Sequence, residues 1–173
     1  MKTILLLRHA KSAWGQPGLA DHERPLNRRG EGAAETMAEY IVHNAPRPDL
    51  ILCSTAVRTR QTLAPLVHRL ANPAPPIALE KGLYLATESE LLVRLRAVTE
   101  ENRTILLIGH NEGIGELACA LAGDGEPDTL AQLHEKFPTA ALATLQLGEA
   151  PWQDLAPGQA ELMSFVRPRD ISE

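Results

Sequence analysis

Six short apolar segments of the chain have the pattern of β-strands, and three of them are typical of strands buried on both faces. Residues 2–7, 50–53 and 104–108 are nearly continuous runs of Leu, Ile and other apolar side chains. Runs of this length, bounded by polar residues, predict strands at the centre of a parallel sheet. Three further strands are predicted over 77–79, 140–147 and 161–166.

Helices are predicted between these strands from capping residues and from apolar side chains spaced for one face. Asn27 is a suitable N-cap for a helix that must end at the prolines before the second strand. Ser54 or Thr55 is expected to cap another helix, which runs to about residue 70. Pro65 lies inside this second helix and predicts a kink or a break there.

Two later helices are predicted on similar grounds. Thr87 and Glu90 form a capping-box pattern in front of an apolar segment over 91–97. Another helix is expected from about 113 to 121, after the third central strand. Two segments with scattered Gly and Pro and no period are predicted to be a loop and a turn, residues 10–26 and 123–127.

Strands that alternate with helices along the chain predict an α/β fold. In such folds the strands form a mostly parallel sheet, and helices flank both of its faces in a three-layer sandwich. The sequence contains no internal repeat, low-complexity tract or linker-like segment. Its 173 residues are a usual length for one domain, so we expect residues 1–173 to form a single domain.

Composition narrows the expected partners and compartment. Aromatic residues make up only 3% of the chain, so aliphatic side chains must fill the core. The formal net charge of −5 argues against a general nucleic-acid binder, which would carry a basic surface. No segment approaches the roughly 20 apolar residues of a membrane span. The two cysteines, Cys53 and Cys119, cannot build a disulfide framework, so we expect a cytoplasmic protein without a membrane partner.

Polar residues that suit phosphate chemistry follow the three predicted central strands. The first strand ends in Arg8 and His9, the second leads through a short loop to Arg58, and the third leads to His110. Ligands of open α/β sheets bind beyond the carboxyl ends of the strands, so these side chains are expected to meet. Arginine forks match phosphoryl oxygens, one neutral imidazole can attack phosphorus, and a second histidine can donate to the oxygens.

The same residues carry a resemblance to a known family. Residues 7–10 (LRHA) resemble the Arg-His-Gly motif of the histidine phosphatase superfamily, which has the phosphoglycerate-mutase-like fold. Residues 54–62 (STAVRTRQT) are similar to its second motif and 109–111 (GHN) to its third. The ordered set is far more specific than any single motif. Residues 24–26 (RPL) and 83–86 (LYLA), with the short length, resemble the compact SixA-type phosphohistidine phosphatases.

This resemblance implies a role for each matching residue and no metal or other cofactor. His9 is the expected nucleophile. Ala10 stands where the motif has glycine, and its methyl group is expected to be tolerated or to narrow the floor of the pocket. The phosphate-binding pocket is expected to comprise Arg8, Arg24, Arg58 and His110.

The proton donor to the leaving group is the open part of this assignment. The usual acid of the superfamily corresponds in place to Glu80, which a surface position would explain equally well. Asp21, in the loop before Arg24, is a rival. SixA-type enzymes have less need of an acid, because the imidazole leaving group of a phosphoramidate can already carry a proton. Glu80, Asp21 and no acid at all therefore stay open.

Other classes of protein fit the sequence less well. Cys53 and Arg58 lie in a strand–loop–helix, but cysteine phosphatases need one more residue between them than the four found here. The ligand spacing of a metal hydrolase does not appear. A mutase would need insertions that this short chain lacks. A module that binds phosphate without hydrolysing it is a further possibility, and only the presence of both His9 and His110 argues against it.

We therefore expect a metal-independent phosphatase that forms a phosphohistidine intermediate at His9. The resemblance implies phosphohistidine on a signalling protein, such as a phosphorelay domain, as the substrate, with a small phosphate ester as the alternative. Residues 11–14 are expected to shape the pocket mouth or to be a solvated loop. Residues 137–139 are expected either to close the pocket at the start of the next strand or to pack in the core. The remaining histidines are expected to be ordinary surface residues, namely His22, His43, His68 and His134.

Overall fold

The computed structural model describes residues 1–171, which contain a seven-stranded sheet with helices on both faces. The strands are β1 (Lys2–Arg8), β2 (Leu50–Ser54), β3 (Ile77–Glu80), β4 (Thr104–Gly109), β5 (Ala122–Gly125), β6 (Leu142–Leu147) and β7 (Ala160–Val166). The helices are α1 (Arg28–Asn44), α2 (Val57–Arg69), α3 (Glu88–Arg96), α4 (Gly113–Leu121), α5 (Pro127–Glu135) and α6 (Pro168–Ile171). Across the sheet the strand order is β3-β2-β4-β1-β6-β7-β5.

Every strand of the sheet except β6 runs in the same direction. β1 pairs in parallel with β4, which pairs in parallel with β2, and β2 with β3. β6 is antiparallel to both of its neighbours, β1 and β7, and β5 lies parallel to β7. The prediction of a mostly parallel, three-layer α/β sheet is confirmed. The carboxyl ends of β1, β2 and β4 therefore lie at one edge.

Two hydrophobic cores meet on β1, one on each face of the sheet. Ile4 and Leu6 belong to the core shared with α3, α4 and α5, whereas Leu5 and Leu7 belong to the core shared with α1 and α2. Successive residues of a strand point to opposite faces, which is why a continuous apolar run serves both cores. Burial of each such side chain contributes about 1.5–3 kcal/mol, so the end of β1 is held firmly in place.

The first turns of α1 and α3 have the caps that the sequence predicts. Asn27 Oδ1 accepts a hydrogen bond of 2.8 Å from the backbone amide of Gly30. Thr87 and Glu90 form both hydrogen bonds of a capping box. Each pair satisfies backbone N–H groups that the helix itself leaves without partners.

The start of α2 differs from its prediction. The residue before the helix is Ala56, which has no side chain that could cap it, so the assignment of the cap to Ser54 or Thr55 is wrong. The Ser54 hydroxyl instead lies 2.8 Å from the Nε2 atom of His110, on another strand end. α2 also continues without a break past Pro65, since its packing against α1 and the sheet outweighs one lost helical hydrogen bond.

The segment after α4 is the part of the fold that the sequence pattern misses. Residues 123–127, predicted as a turn, contain most of β5, which pairs with β7 at the edge of the sheet. α5 follows and was not predicted. Its N-cap is Glu126, whose carboxylate accepts from the Thr129 amide at 2.9 Å. Glutamate is not a favoured N-cap residue, so the start of α5 carries only a weak local signal.

Two glycines allow close backbone contacts beside the strand ends. A Cβ atom on Gly30 would lie 2.0 Å from the carbonyl oxygen of Lys11, in the loop after β1. A Cβ atom on Gly113 would lie 2.0 Å from the carbonyl oxygen of Ala86, in the segment after β3. Any larger residue would push α1 or α4 away from the segments that carry the candidate site.

Candidate active site

The ends of β1 and β4 place two histidines side by side. Arg8 and Gly109 are partners in the parallel ladder, so the residues that follow them, His9 and His110, leave the sheet together. Their ring centroids are 5.3 Å apart, and both side chains are buried. Neighbouring strands of a parallel sheet bring residues that are far apart in sequence to one edge, as the sequence analysis expects.

The imidazole of His9 is held as a neutral ring with one free nitrogen. Its Nδ1 atom lies 2.7 Å from the carbonyl oxygen of Ala10, which can only accept, so the proton is on Nδ1. The pKa of His9 is lowered to about 4, chiefly by burial and in part by the charges of Arg8 and Arg58, against the opposing effect of the Ala10 hydrogen bond. At neutral pH the Nε2 lone pair is therefore available.

Ala10 itself faces the core rather than the site. Its side chain is buried in the cluster beneath α1 and α2, and its amide donates a 2.9 Å hydrogen bond to the Thr62 hydroxyl. The methyl group does not line the cavity described below. Replacement of the motif glycine by alanine thus leaves the pocket floor unchanged.

His110 is also neutral and is oriented by Ser54. Ser54 Oγ accepts from the amide of Ala56 and lies 2.8 Å from His110 Nε2, so its hydroxyl can donate to that nitrogen. This arrangement leaves the proton of the ring on Nδ1. The pKa of His110 is lowered to about 3, chiefly by burial, with smaller contributions from His9 and Arg58.

Arg58 projects from the first turn of α2 and is almost fully buried, with 2% of its surface exposed. Its Nη1 donates to the backbone oxygen of Asp21 at 2.7 Å, and its Nη2 donates to the Asp21 carboxylate at 3.0 Å. Arg8 donates through Nη1 to the carbonyl oxygen of Phe137 at 3.0 Å. Each of the two guanidiniums is thus fixed by a backbone carbonyl oxygen of a loop.

Three buried side-chain nitrogens lack a hydrogen-bond partner within residues 1–171, and all three belong to this group of side chains. Unsatisfied buried donors are costly and rare in folded proteins, so their concentration here points to a ligand with several acceptor oxygens. A phosphoryl group is such a ligand. The three atoms are Arg8 Nε, Arg58 Nε and His110 Nδ1.

Asp21 is bound by three donors from different parts of the chain. Its carboxylate accepts from Arg24 Nε at 3.0 Å, from Arg58 and from the Tyr84 hydroxyl. Partial burial raises the pKa of Asp21, but these hydrogen bonds and the Arg58 charge outweigh it and hold the pKa far below its usual range. The carboxylate is ionised at neutral pH.

Arg24 lies at the mouth of the site and is held from several directions. Its Nη1 donates to Ser12 Oγ at 2.5 Å and to the carbonyl oxygen of Ala13 at 3.1 Å. The guanidinium also stacks on the ring of Trp14, 3.5 Å from its centroid, while that ring is 77% exposed. The loop after β1 therefore shapes the mouth, which was one of its two predicted roles.

These side chains line one open cavity of about 410 Å³ at the sheet edge. It brings together the five positions expected to form the nucleophile and the phosphate pocket, together with Asp21, which is the one carboxylate among its described lining residues. The complete lining is Arg8, His9, Lys11, Ser12, Trp14, Asp21, Arg24, Arg58, Leu85, His110, Asn111 and Thr139.

The structure does not bring Glu80 into this cavity. Its carboxylate makes two hydrogen bonds with the guanidinium of Arg94 on α3, at 2.7 and 2.9 Å. Glu80 ends the edge strand β3, and this bidentate pair holds its side chain there. Of the two carboxyl groups considered as proton donors, only Asp21 reaches the cavity.

Sequence reasoning missed three residues that support the site. Tyr84 donates to Asp21 and packs edge-on against His110, with centroids 5.4 Å apart. Ser54 orients His110, and His22, expected to be an ordinary surface residue, contacts the Tyr84 ring at 4.9 Å. Tyr84 lies in the 83–86 segment that resembles the family, which was the available signal. The backbone of 137–139 also closes the site, and the Phe137 side chain packs in the core, so both of the roles considered for this segment are found.

Cys53 is not a nucleophile of this site. Its side chain is fully buried in β2, and burial raises the pKa of its thiol to about 12. A thiol in that state carries no reactive thiolate at neutral pH. Among residues 1–171, no group of three or more His, Cys, Asp or Glu side chains could hold a metal ion. None of the helices in the same range is long and apolar enough to cross a membrane.

Comparisons with known proteins agree with this geometry. The sequence model of the histidine phosphatase superfamily (branch 1) matches residues 4–84. SixA from Agrobacterium tumefaciens is 35% identical, with 96% of this chain and 98% of that one covered and a TM-score of 0.81. SixA from Nakamurella multipartitia is 30% identical, with 96% of each chain covered and a TM-score of 0.82. An uncharacterized protein of Mycobacterium tuberculosis is 38% identical over 94% of this chain and its own full length.

Proposed function

Because this chain belongs to the histidine phosphatase superfamily, among its SixA-like members, we propose that it hydrolyses phosphohistidine on a phosphorylated protein through a phosphorylated His9. The observation that carries the proposal is the set of three unsatisfied buried donors in one cavity with a neutral histidine. A phosphoryl group supplies the missing acceptors, and the free Nε2 of His9 supplies the nucleophile.

The first chemical step is attack of His9 Nε2 on phosphorus. A P–N bond forms to His9 while the P–N bond to the substrate imidazole breaks, and the leaving ring takes that electron pair. The proton of His9 stays on Nδ1 throughout and remains hydrogen-bonded to the Ala10 carbonyl oxygen, which stabilises the positive charge that develops on the phosphorylated ring. In the second step a water attacks phosphorus while the P–N bond to His9 breaks and its electron pair returns to Nε2. The protons of the water leave on inorganic phosphate, and His9 is again neutral.

Three donors stabilise the charge on the transferring phosphoryl oxygens. Arg8 and Arg58 offer Nε–H groups that nothing else in residues 1–171 binds, and His110 offers Nδ1–H. These donors are in place before the reaction because loop backbone and Ser54 fix them. Removal of one preorganised donor of this kind lowers kcat about 10²–10³-fold.

The state of Asp21 favours phosphohistidine over alkyl phosphate esters. An alkyl alcohol is a poor leaving group and needs a proton from a general acid. Asp21 is ionised and bound by two arginines, so it has no proton to give in the free enzyme. The imidazole of phosphohistidine, protonated on its other ring nitrogen, leaves as a neutral molecule without such help.

The two SixA proteins that are 30% and 35% identical to this chain support phosphohistidine as the substrate. They share their name with the protein histidine phosphatase SixA, which was solved with tungstate, a tetrahedral oxyanion. That protein has the same fold as this chain, with a TM-score of 0.77 and 22% identity.

The test is phosphate release in the presence of EDTA from three substrates: a histidine-phosphorylated protein, p-nitrophenyl phosphate and an alkyl phosphate. We expect rapid release from phosphohistidine, slower release from the aryl ester and little from the alkyl ester. His9→Ala should abolish all of it, and acid-labile phosphate should be trapped on the wild-type enzyme after rapid quenching.

Other results would revise the proposal in defined ways. Cleavage of the esters alone would leave His9 as the nucleophile but make this a small-molecule phosphatase. Activity that survives His9→Ala, or that EDTA removes, would contradict the mechanism. Binding of phosphoprotein without release would identify a recognition module.

A further inference from the structure

A second cavity, which we call the basic cavity, adjoins the active site. It has a volume of about 530 Å³ and shares Lys11 and Thr139 with the lining of the active-site cavity. The two cavities therefore adjoin at the loop after β1 and the segment before β6. The charged side chains that line the basic cavity are Lys11, Arg29, Glu135, Lys136, Arg167 and Arg169.

Four separate parts of the chain build the basic cavity. α1 contributes Arg29, the end of α5 contributes Glu135 and Lys136, and the start of α6 contributes the remaining two arginines. Gly30 lets α1 touch the backbone of Lys11, which brings that lysine and Arg29 to one wall. The cations thus come together through tertiary packing and not through a run of basic residues.

The charge of this cavity is opposite to that of the protein as a whole. The chain has 17 Lys and Arg against 22 Asp and Glu, yet five cations and one acid line the basic cavity. Arg167 is paired with Asp170. Lys11, Arg29 and Lys136 are exposed and form no salt bridge with any residue in the 1–171 range. A local positive surplus of this kind attracts anionic groups.

We propose that the basic cavity binds acidic side chains next to the phosphohistidine of the substrate protein. This inference rests on the proposed function and adds a substrate preference to it. When the phosphoryl group lies against His9, the polypeptide that carries it can extend past Lys11 into the basic cavity. Carboxylates of the substrate then face Arg29 and Lys136.

Two features favour acidic side chains over a second phosphate on a small substrate. The unpaired cations are exposed, whereas the arginine that binds phosphoryl oxygens in the active site, Arg58, is buried and held by hydrogen bonds. The basic cavity is also larger than the active-site cavity, at about 530 against 410 Å³. Exposed cations along a wide wall suit several carboxylates of a docking protein, where long-range charge mainly speeds and orients association.

The experiment uses two synthetic peptides of equal length, each with one phosphohistidine. One peptide has glutamates on both sides of it, and the other has glutamines at the same positions. The enzymes are wild type, Arg29→Glu, Lys136→Glu and Arg28→Glu. Arg28 is the matched control, because it is an exposed arginine on the same turn of α1 but does not line the basic cavity.

Wild type is expected to have a KM about threefold to tenfold lower for the glutamate peptide than for the glutamine peptide, with similar kcat. Arg29→Glu and Lys136→Glu should each remove or reverse this preference, and Arg28→Glu should keep it. The preference should also shrink in high salt.

Two failures can be told apart. Equal KM values for both peptides in wild type, or equal effects of Arg28→Glu and Arg29→Glu, would overturn the acidic-docking inference and leave the phosphohistidine activity standing. If neither peptide is hydrolysed while p-nitrophenyl phosphate is cleaved by His9, the proposed function fails and this inference fails with it.

Discussion

The guanidinium of Arg58 is bound by Asp21 through both a backbone oxygen and the side-chain carboxylate, at 2.7 and 3.0 Å. The pocket arginine therefore already holds an internal anion. A phosphoryl group that enters must share Arg58 with this carboxylate, and the two negative charges repel each other. Asp21 thus lowers the affinity for free phosphate while it orients Arg58 and Arg24.

Asp21→Asn should strengthen product inhibition by inorganic phosphate about threefold to tenfold, since it removes the competing charge but keeps an acceptor for Arg58. Turnover of phosphohistidine should change less than about threefold, because that leaving group needs little acid catalysis. The control is Glu80→Gln, which disrupts an arginine pair outside the cavity. A large loss of turnover in Asp21→Asn would identify Asp21 as the acid, and a large loss in Glu80→Gln would return that role to Glu80.

Arg58→Ala should lower kcat/KM for phosphohistidine about 10²–10³-fold, because it removes a buried donor to the phosphoryl oxygens. Arg60→Ala, two residues further along α2, should change it less than about threefold. Arg60 is exposed, and within residues 1–171 the one hydrogen bond of its side chain goes to the backbone of Thr55. Steady-state kinetics of the two variants, with circular dichroism to check folding, measure the contrast. Equal losses would mean that the phosphate-binding arginine is misassigned.

Ser54→Ala should lower kcat about tenfold, the equivalent of one hydrogen bond, because His110 loses the donor that keeps its proton on Nδ1. Thr55→Ala is the neighbouring control, since its hydroxyl contacts His22 and not His110. The expected signature is a change in kcat with little change in KM. Unaltered kinetics in Ser54→Ala would show that the tautomer of His110 does not depend on this contact.

The pH profile of kcat/KM should reflect the neutral state of His9. Burial lowers its pKa to about 4, so the nucleophile is unprotonated above this pH and activity should be lost as the pH falls through it. Between about pH 5 and 7 the profile should be flat once the ionisation of the substrate phosphate is taken into account. An acidic limb centred near the ordinary histidine pKa of about 6.5 would contradict the assigned environment.

Protein stability should fall in mild acid for the same reason. Burial lowers the pKa values of His9 and His110 below those in the unfolded chain, so the unfolded state binds more protons below about pH 6.5. The stabilising effect of the neutral rings is complete above that pH and is lost progressively as the pH falls toward about 4. Urea unfolding of wild type should show this slope and His9→Asn should reduce it. An equal slope in wild type and His9→Asn would contradict the buried, neutral state assigned to His9.

The sequence predicts those elements of the fold that have a local pattern of apolar residues or caps, and it misses those that depend on a partner far along the chain. β1 and β4 contain continuous apolar runs over 4–7 and 105–108, and this local pattern identifies them as central strands. β5 contains only Ala, Gly and Asp, and α5 begins at a glutamate cap. β5 forms because β7 supplies its hydrogen bonds, and that partner lies some distance along the chain. No local pattern could have identified it.

The sequence by itself determined that polar residues follow the three central strands, and it predicted that His9, Arg8, Arg58 and His110 lie together, as they do in one cavity of the structure. Motif spacing and apolar runs are local properties, so they can be recognised along the chain. Only the tertiary structure decided which donor binds which acceptor. In the structure Glu80 pairs with Arg94, outside the cavity. Asp21 binds Arg58, which lies 37 residues further along the chain. Such pairings depend on distances between separate elements, which the packing of the helices on the sheet sets and residue spacing does not encode.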